Sequence, residues 1–328
     1  MNYEKQKMLA LFAENTATIK KGFVWQDGLV KRLAALLYAL ENKPMDCDAV
    51  RESHSAIKSN TGVFSAFRGN MSLCLAAMLS LRDDRERLLT DTLEVYGLLK
   101  KAKFPTSDYL AVAAYQIAAN VPYAQYGQAA ANTRAFYEEM KARRWFQTGR
   151  DDTIYAAMLG LSGKNPVEGA EQIEQLFQRL KSEFSSKNSV QTLSQILVLG
   201  GKREEAVQHV LDLRNVLRGN NIKLDKIYTL PALGVLSLLP IGGEVIARDI
   251  LEAQAFLRTQ KGFGVFSLTS QELLLYASSI IASIYAENLD SINAASISTS
   301  IASIIIAQQI AIISAAASSA AVTASASS

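Results

Sequence analysis

The stretch FQTGRDDTIYAAMLGLSGKNPVEGAEQIEQLFQRLK, Phe146 to Lys181, decides the fold. Its first half holds an apolar, Ala-rich run, Ile154 to Leu161, with no polar face. In its second half Ala170, Ile173, Leu176, Phe177 and Leu180 recur at steps of three and four, while Glu171, Glu174, Gln178 and Lys181 fill the other side. Pro166 stands between the halves, where a residue that cannot continue a helix belongs. The spacing predicts two helices, one deeply buried and one with a wet face, joined by a turn.

The same unit recurs along the chain. An aromatic or Ile, a short polar gap and an apolar helical run begin at Trp25, Phe67, Phe104, Phe146, Phe184, Ile222 and Phe266, anchors that lie 37 to 44 residues apart. More polar amphipathic segments such as DRERLLTDTLEVYGLLKK and REEAVQHVLDLRNVLR fall between them. Thr106, Ser107, Thr148 and Ser270 stand where N-caps are wanted, and Pro44, Pro105 and Pro122 fall in the gaps. A period near 40 with two helices per unit predicts an all-α chain, an irregular α-solenoid of about six or seven helix pairs.

The tail is read separately. Residues 291–328 carry no charge, Gly or Pro, and SIASIIIAQQIAIIS, Ser300 to Ser314, is rich in Ile, Ala and Ser. Its Ile residues form two stripes on a helical wheel, which predicts a helix packed on two faces. No basic flank or aromatic belt marks it as a membrane anchor. The expected organisation is a helical-repeat domain over 1–290 and an uncharged helix with a frayed end over 291–328, packed on the same domain. A second copy sharing that helix is the alternative.

With 328 residues, 49% of them hydrophobic, and only 6 Pro, the chain has ample material for a core. The net charge of +3, with no basic block, excludes a nucleic-acid footprint. Two cysteines, Cys47 and Cys74, form no disulfide framework or metal knuckle, and the N-terminus lacks a secretory apolar run. The expected compartment is therefore the cytoplasm.

The segments FRGN (Phe67–Asn70), FQTGRDDTIYAAMLGLS (Phe146–Ser162), LSQILVLG (Leu193–Gly200), YTLPALGVLSLL (Tyr228–Leu239) and the tail IIIAQQIAIISAA together resemble a bacterial family catalogued as a domain of unknown function, number four thousand and three. The resemblance implies one continuous domain and carries no activity or cofactor.

Candidate chemistry is sparse. His54 and His209 have no ligand partner at helical spacing, so no metal is expected, and no cofactor motif is present. GGKRE (Gly200–Glu204) and PIGGE (Pro240–Glu244) read as helix-to-helix turns rather than phosphate loops. Asp151 and Asp152 read as first-turn acids that favour the helix dipole. Two places stand out as ligand- or partner-binding candidates. Arg68 and Asn70 flank a turn before a helix, and Arg143, Arg144 and Trp145 set cations beside an aromatic. The expectation is a non-enzymatic binding or scaffolding module with a protein partner. The alternatives are an enzyme with a groove site near Arg68, Asn70, Asp151 and Asp152, or a membrane-peripheral protein held by its tail.

Overall fold

The computed structural model describes residues 3–201 and 205–287, and every regular element among them is helical. The α-helices pair off in chain order: α1 (Tyr3–Gly22) with α2 (Gly28–Leu40), α3 (Cys47–Asn60) with α4 (Ser72–Ser80), α5 (Arg85–Lys101) with α6 (Asp108–Asn120), α7 (Tyr126–Arg143) with α8 (Asp152–Leu161), α9 (Pro166–Leu180) with α10 (Lys187–Leu199), α11 (Ala206–Gly219) with α12 (Leu230–Ser237), and α13 (Gly243–Thr259) with α14 (Ser270–Glu287). These hairpins are the repeat that the period near 40 predicts. The expected C-terminal helix, 291–328, lies outside the described residues, as do 202–204 of the GGKRE turn.

Polarity sorts the two helices of each hairpin. Helix α9 buries Ala170, Ile173, Leu176, Phe177 and Leu180 and leaves Glu171 and Gln178 in water. By contrast α8 is buried at every residue from Asp152 to Gly160, and α12 from Leu230 to Ser237. A helix apolar all round must be enclosed, so the even-numbered helices lie inside and the odd-numbered ones outside. Inner helices also touch one another between pairs, α2 with α4, α6 with α8, and onward through α10, α12 and α14. Helix α6 reaches α4 through Tyr115, whose hydroxyl donates to the Met78 carbonyl at 3.1 Å.

The last pair returns onto the first. Helix α14 packs on α1 and α2, and α13 packs on α1. Phe12 of α1 meets Phe263 edge-on, centroids 5.3 Å apart at 72°, and Tyr276 of α14 at 5.3 Å. Lys5 of α1 pairs with Asp249 of α13, and the Tyr285 hydroxyl of α14 donates to the same carboxylate. Arg32 of α2 donates to the Ser267 carbonyl at 2.7 Å. The hairpins therefore form a ring. A sequence period fixes how each unit meets the next; the small rotation per unit, which decides between an open array and a closed one, leaves no mark in it.

Closure sets a polarity of ends. Short connections make the helices of each hairpin antiparallel, so all outer helices run one way and all inner helices the other. Every outer-to-inner connection then lies at one end, beside the N-termini of the inner helices. That inner-N end carries the sites below.

Local capping follows the expected chemistry with shifts of one residue. Ser107 caps α6 by accepting the Leu110 N–H at 3.1 Å. At α14 the cap is Thr269 rather than Ser270: its hydroxyl accepts the Glu272 N–H at 3.2 Å, while the Glu272 carboxylate accepts the Thr269 N–H at 2.7 Å. Thr106 instead takes the Lys100 ammonium at 2.7 Å, and Thr148 takes the Gln191 amide at 3.3 Å.

Candidate functional site

Ring closure brings three basic segments around one cavity of about 720 Å³. Lys20 and Lys21 come from the last turn of α1, Lys31 and Arg32 from α2, and Lys261 from the turn between α13 and α14; among the described residues no acid lines the cavity. Lysines suit the end of α1 because unpaired carbonyls there favour cations. Gly262, at φ +91, takes the left-handed conformation that lets the chain turn beside Lys261.

The charge of this pocket is not neutralised. Among the described residues none of its five cations forms an ion pair: Arg32 donates to the Ser267 carbonyl, and Lys31 reaches only the Val24 carbonyl at 3.5 Å. The nearby acid, Asp27, is committed to capping α2, accepting the Leu29 N–H at 2.7 Å and the Val30 N–H at 3.4 Å. Burial first, then the charges of Lys20 and Arg32, hold the Lys31 ammonium below the usual lysine range, with Asp27 pulling the other way. An anion entering here relieves that repulsion. Donors that approach from different helices can meet several acceptor oxygens of one anion.

The residues singled out from sequence lie elsewhere. Arg68 sits in a short 3-10 turn, Ala66–Arg68, and its guanidinium binds the Thr61 hydroxyl at 3.2 Å and the carbonyls of Lys58 and Thr61. It closes the end of α3. Asn70 is exposed, and its backbone N–H, with that of Met71, binds the Asp108 carboxylate at the start of α6. Arg143 pairs with Glu139 one turn earlier. Arg144 pairs with Glu174 of α9 at 2.7 Å and stacks over Phe177, so it staples two outer helices. Trp145 is exposed and meets Phe146 edge-on, centroids 4.7 Å apart.

Asp151 and Asp152 open α8. The Asp152 carboxylate is buried and accepts the Gly149 N–H at 2.7 Å, the Gln191 amide at 3.0 Å and the Gln195 amide at 2.6 Å. Burial, and then the charge of Asp151, push its carboxyl up to about 7, against the three bonds that favour the ion. Tyr155, one turn on, has a buried hydroxyl without a hydrogen-bond partner among the described residues. These groups brace α8 against α10, whereas Arg68 and Asn70 are bound to α3 and α6.

His54 is half-buried, which lowers its pKa, and His209 is exposed on α11. No group of three His, Cys, Asp or Glu among the described residues is arranged to hold a metal ion. No helix among them is long and apolar enough to cross a membrane.

The sequence reading missed the pocket. Its signal is TIKKGFVWQDGLVKR, Thr18 to Arg32, which packs four cations around an aromatic turn; the arrival of Lys261 from the last repeat is visible only in three dimensions.

Residues 15–310 match the family described as "Protein of unknown function (DUF4003)", and the chain belongs to that family. No curated protein and no solved structure matches the chain.

Proposed function

We propose that this DUF4003 member is a cytoplasmic binding module that holds a phosphate-bearing anion in the pocket where its ring closes. The observation that carries the reading is a set of five cations around one cavity that, among the described residues, form no ion pair and have no carboxylate beside them in the lining. Burial first, and then the neighbouring Lys20 charge, lower the Lys31 pKa, and a dianion among these cations offsets both the lost hydration and the repulsion. The free thiols Cys47 and Cys74 support a reducing compartment.

Calorimetric titration of the full chain with inorganic pyrophosphate tests it. A single saturable site is expected, weakening as salt rises because cation–anion attraction is screened over about 10 Å at 0.1 M. Acetate, with one charge and two oxygens, binds more weakly at the same site. Equal weak binding of both anions without saturation contradicts the reading.

A further inference from the structure

The inner-N end of the ring combines two features that the pocket alone does not explain. Exposed aromatics crown the outer-to-inner loops: Trp25, Phe64, Trp145, Phe146, Tyr228 and Phe266. Trp25 is 98% exposed, Phe64 100% and Phe146 86%, in chain turns whose neighbours Phe67 and Phe263 are buried. Large apolar side chains held fully in water at one end of a molecule mark a surface that meets a partner.

Charge is distributed by the same polarity. The last turn of every outer helix carries Lys or Arg, from Lys20 and Lys21 in α1 to Arg258 in α13, and the last turn of no inner helix does. Several acids at this end are already engaged. Asp27 caps α2, Asp108 and Asp152 accept backbone N–H groups, and Glu183 and Asp225 pair with Arg214 and Arg218. The opposite end gathers Glu4, Glu41, Asp83, Glu86, Glu168 and Glu244, and Glu287 there is held above the usual carboxylate range by burial and by Glu41 and Glu4. The inner-N end thus has a cation in the last turn of each outer helix and most of the exposed rings, whereas the opposite end mixes those carboxylates with Arg51, Arg85, Arg87 and Lys164 and exposes Tyr3 and Tyr123.

We propose that the inner-N end docks on an anionic lipid bilayer surface, its aromatic tips entering the headgroup layer and its cations, those of the seam pocket included, facing lipid phosphates. Trp and other amphipathic rings settle at the membrane interface, and each basic residue near an anionic leaflet strengthens attachment roughly fivefold. The complementarity of sign selects this partner: an acidic protein surface satisfies the cations and leaves fully exposed rings without an apolar phase. The proposal rests on the anion-pocket reading for its headgroup contact; the aromatic crown is independent of it.

The experiment is flotation of the full chain with vesicles of three parts phosphatidylcholine to one part phosphatidylglycerol, beside phosphatidylcholine alone. Both tryptophans of the chain, Trp25 and Trp145, lie on this end, so intrinsic fluorescence reports insertion directly. Expected are binding to the mixed vesicles only, a blue shift of emission, and a loss of roughly tenfold or more in partitioning for Trp25→Ala/Phe266→Ala, with pyrophosphate affinity unchanged. Pyrophosphate binding without vesicle binding overturns the lipid proposal and leaves the pocket standing. Loss of both overturns both. Vesicle binding with no blue shift and no effect of the double variant overturns insertion. A dimer in detergent-free buffer that the double variant dissolves makes the aromatic end a subunit interface and overturns the proposal as well.

Discussion

Lys5 in the first turns of α1 and Asp249 in α13 form a buried ion pair across 244 positions of sequence, with side chains 9% and 1% exposed. Tyr285 of α14 donates to the same carboxylate. Burial opposes the charge on both partners; the mutual bonds and that of Tyr285 outweigh it, so Lys5 lies above its usual range and Asp249 below. The pair joins the first and last helix pairs of the array along the α1–α13 contact.

Removing one partner leaves the other charged and buried. Asp249→Ala is expected to cost about 3–5 kcal/mol in urea unfolding, against under about 1 kcal/mol for Asp48→Ala, which removes only an exposed pair with Arg51. In pH, the depressed Asp249 contributes stability above its unfolded value near 3.9, lost as pH falls through its folded value. The raised Lys5 contributes below about 10.4, lost as pH rises through its folded value. The parent's stability should fall off in both directions, and Asp249→Ala should lack both limbs.

Gly160 of α8 lies so close to α7 that a Cβ there sits 2.8 Å from the Thr133 backbone nitrogen and 3.2 Å from the Asn132 carbonyl carbon. Backbone cannot step aside as a side chain can. Gly160→Ala is therefore expected to destabilise by about 1–3 kcal/mol despite the gain in helix propensity, read as a lowered urea midpoint.

Asp152 gives an opposite pH slope. A carboxyl raised in the folded state contributes stability that is complete below its unfolded value near 3.9 and is lost as pH rises through about 7. Asp152→Asn removes that slope. Relative to the parent, the variant should gain stability at pH 8 over pH 5, by at most about 3 kcal/mol, in paired thermal melts.

Arg68 separates a structural role from a ligand role. Its guanidinium satisfies carbonyls at the end of α3, so Arg68→Ala should cost about 1–3 kcal/mol by leaving them unpaired. Pyrophosphate affinity should be unchanged. A large affinity loss at constant stability would return Arg68 to the ligand-binding role its turn implies.

The helix pairs were legible because each pairs a uniformly apolar run with a run of period 3.6, as at Ile154–Leu161 and Ala170–Leu180. The ring was not, since Lys5 and Asp249, or Phe12 and Phe263, carry no local mark of their partnership. The repeat anchors show the same limit. Phe67, Phe104, Phe184 and Ile222 are buried, while Trp25, Phe146 and Phe266, in like positions of the pattern, are exposed tips. An aromatic beside a polar gap reads alike in both cases. Of the candidate site, Trp145 was singled out from sequence and stands free at the inner-N end, whereas Arg143 and Arg144 are spent on Glu139 and Glu174. Whether a cation is free is a matter of what packs beside it.

The most direct measurement is pyrophosphate affinity by calorimetry for Lys20→Gln, from the first helix pair, and Lys261→Gln, from the last, beside Lys164→Gln in the α8–α9 turn at the opposite end. Closure predicts one site that each of the first two variants weakens several-fold and that the third leaves unchanged. A site that Lys20→Gln weakens and Lys261→Gln does not would contradict the claim that the two ends of the chain build one pocket.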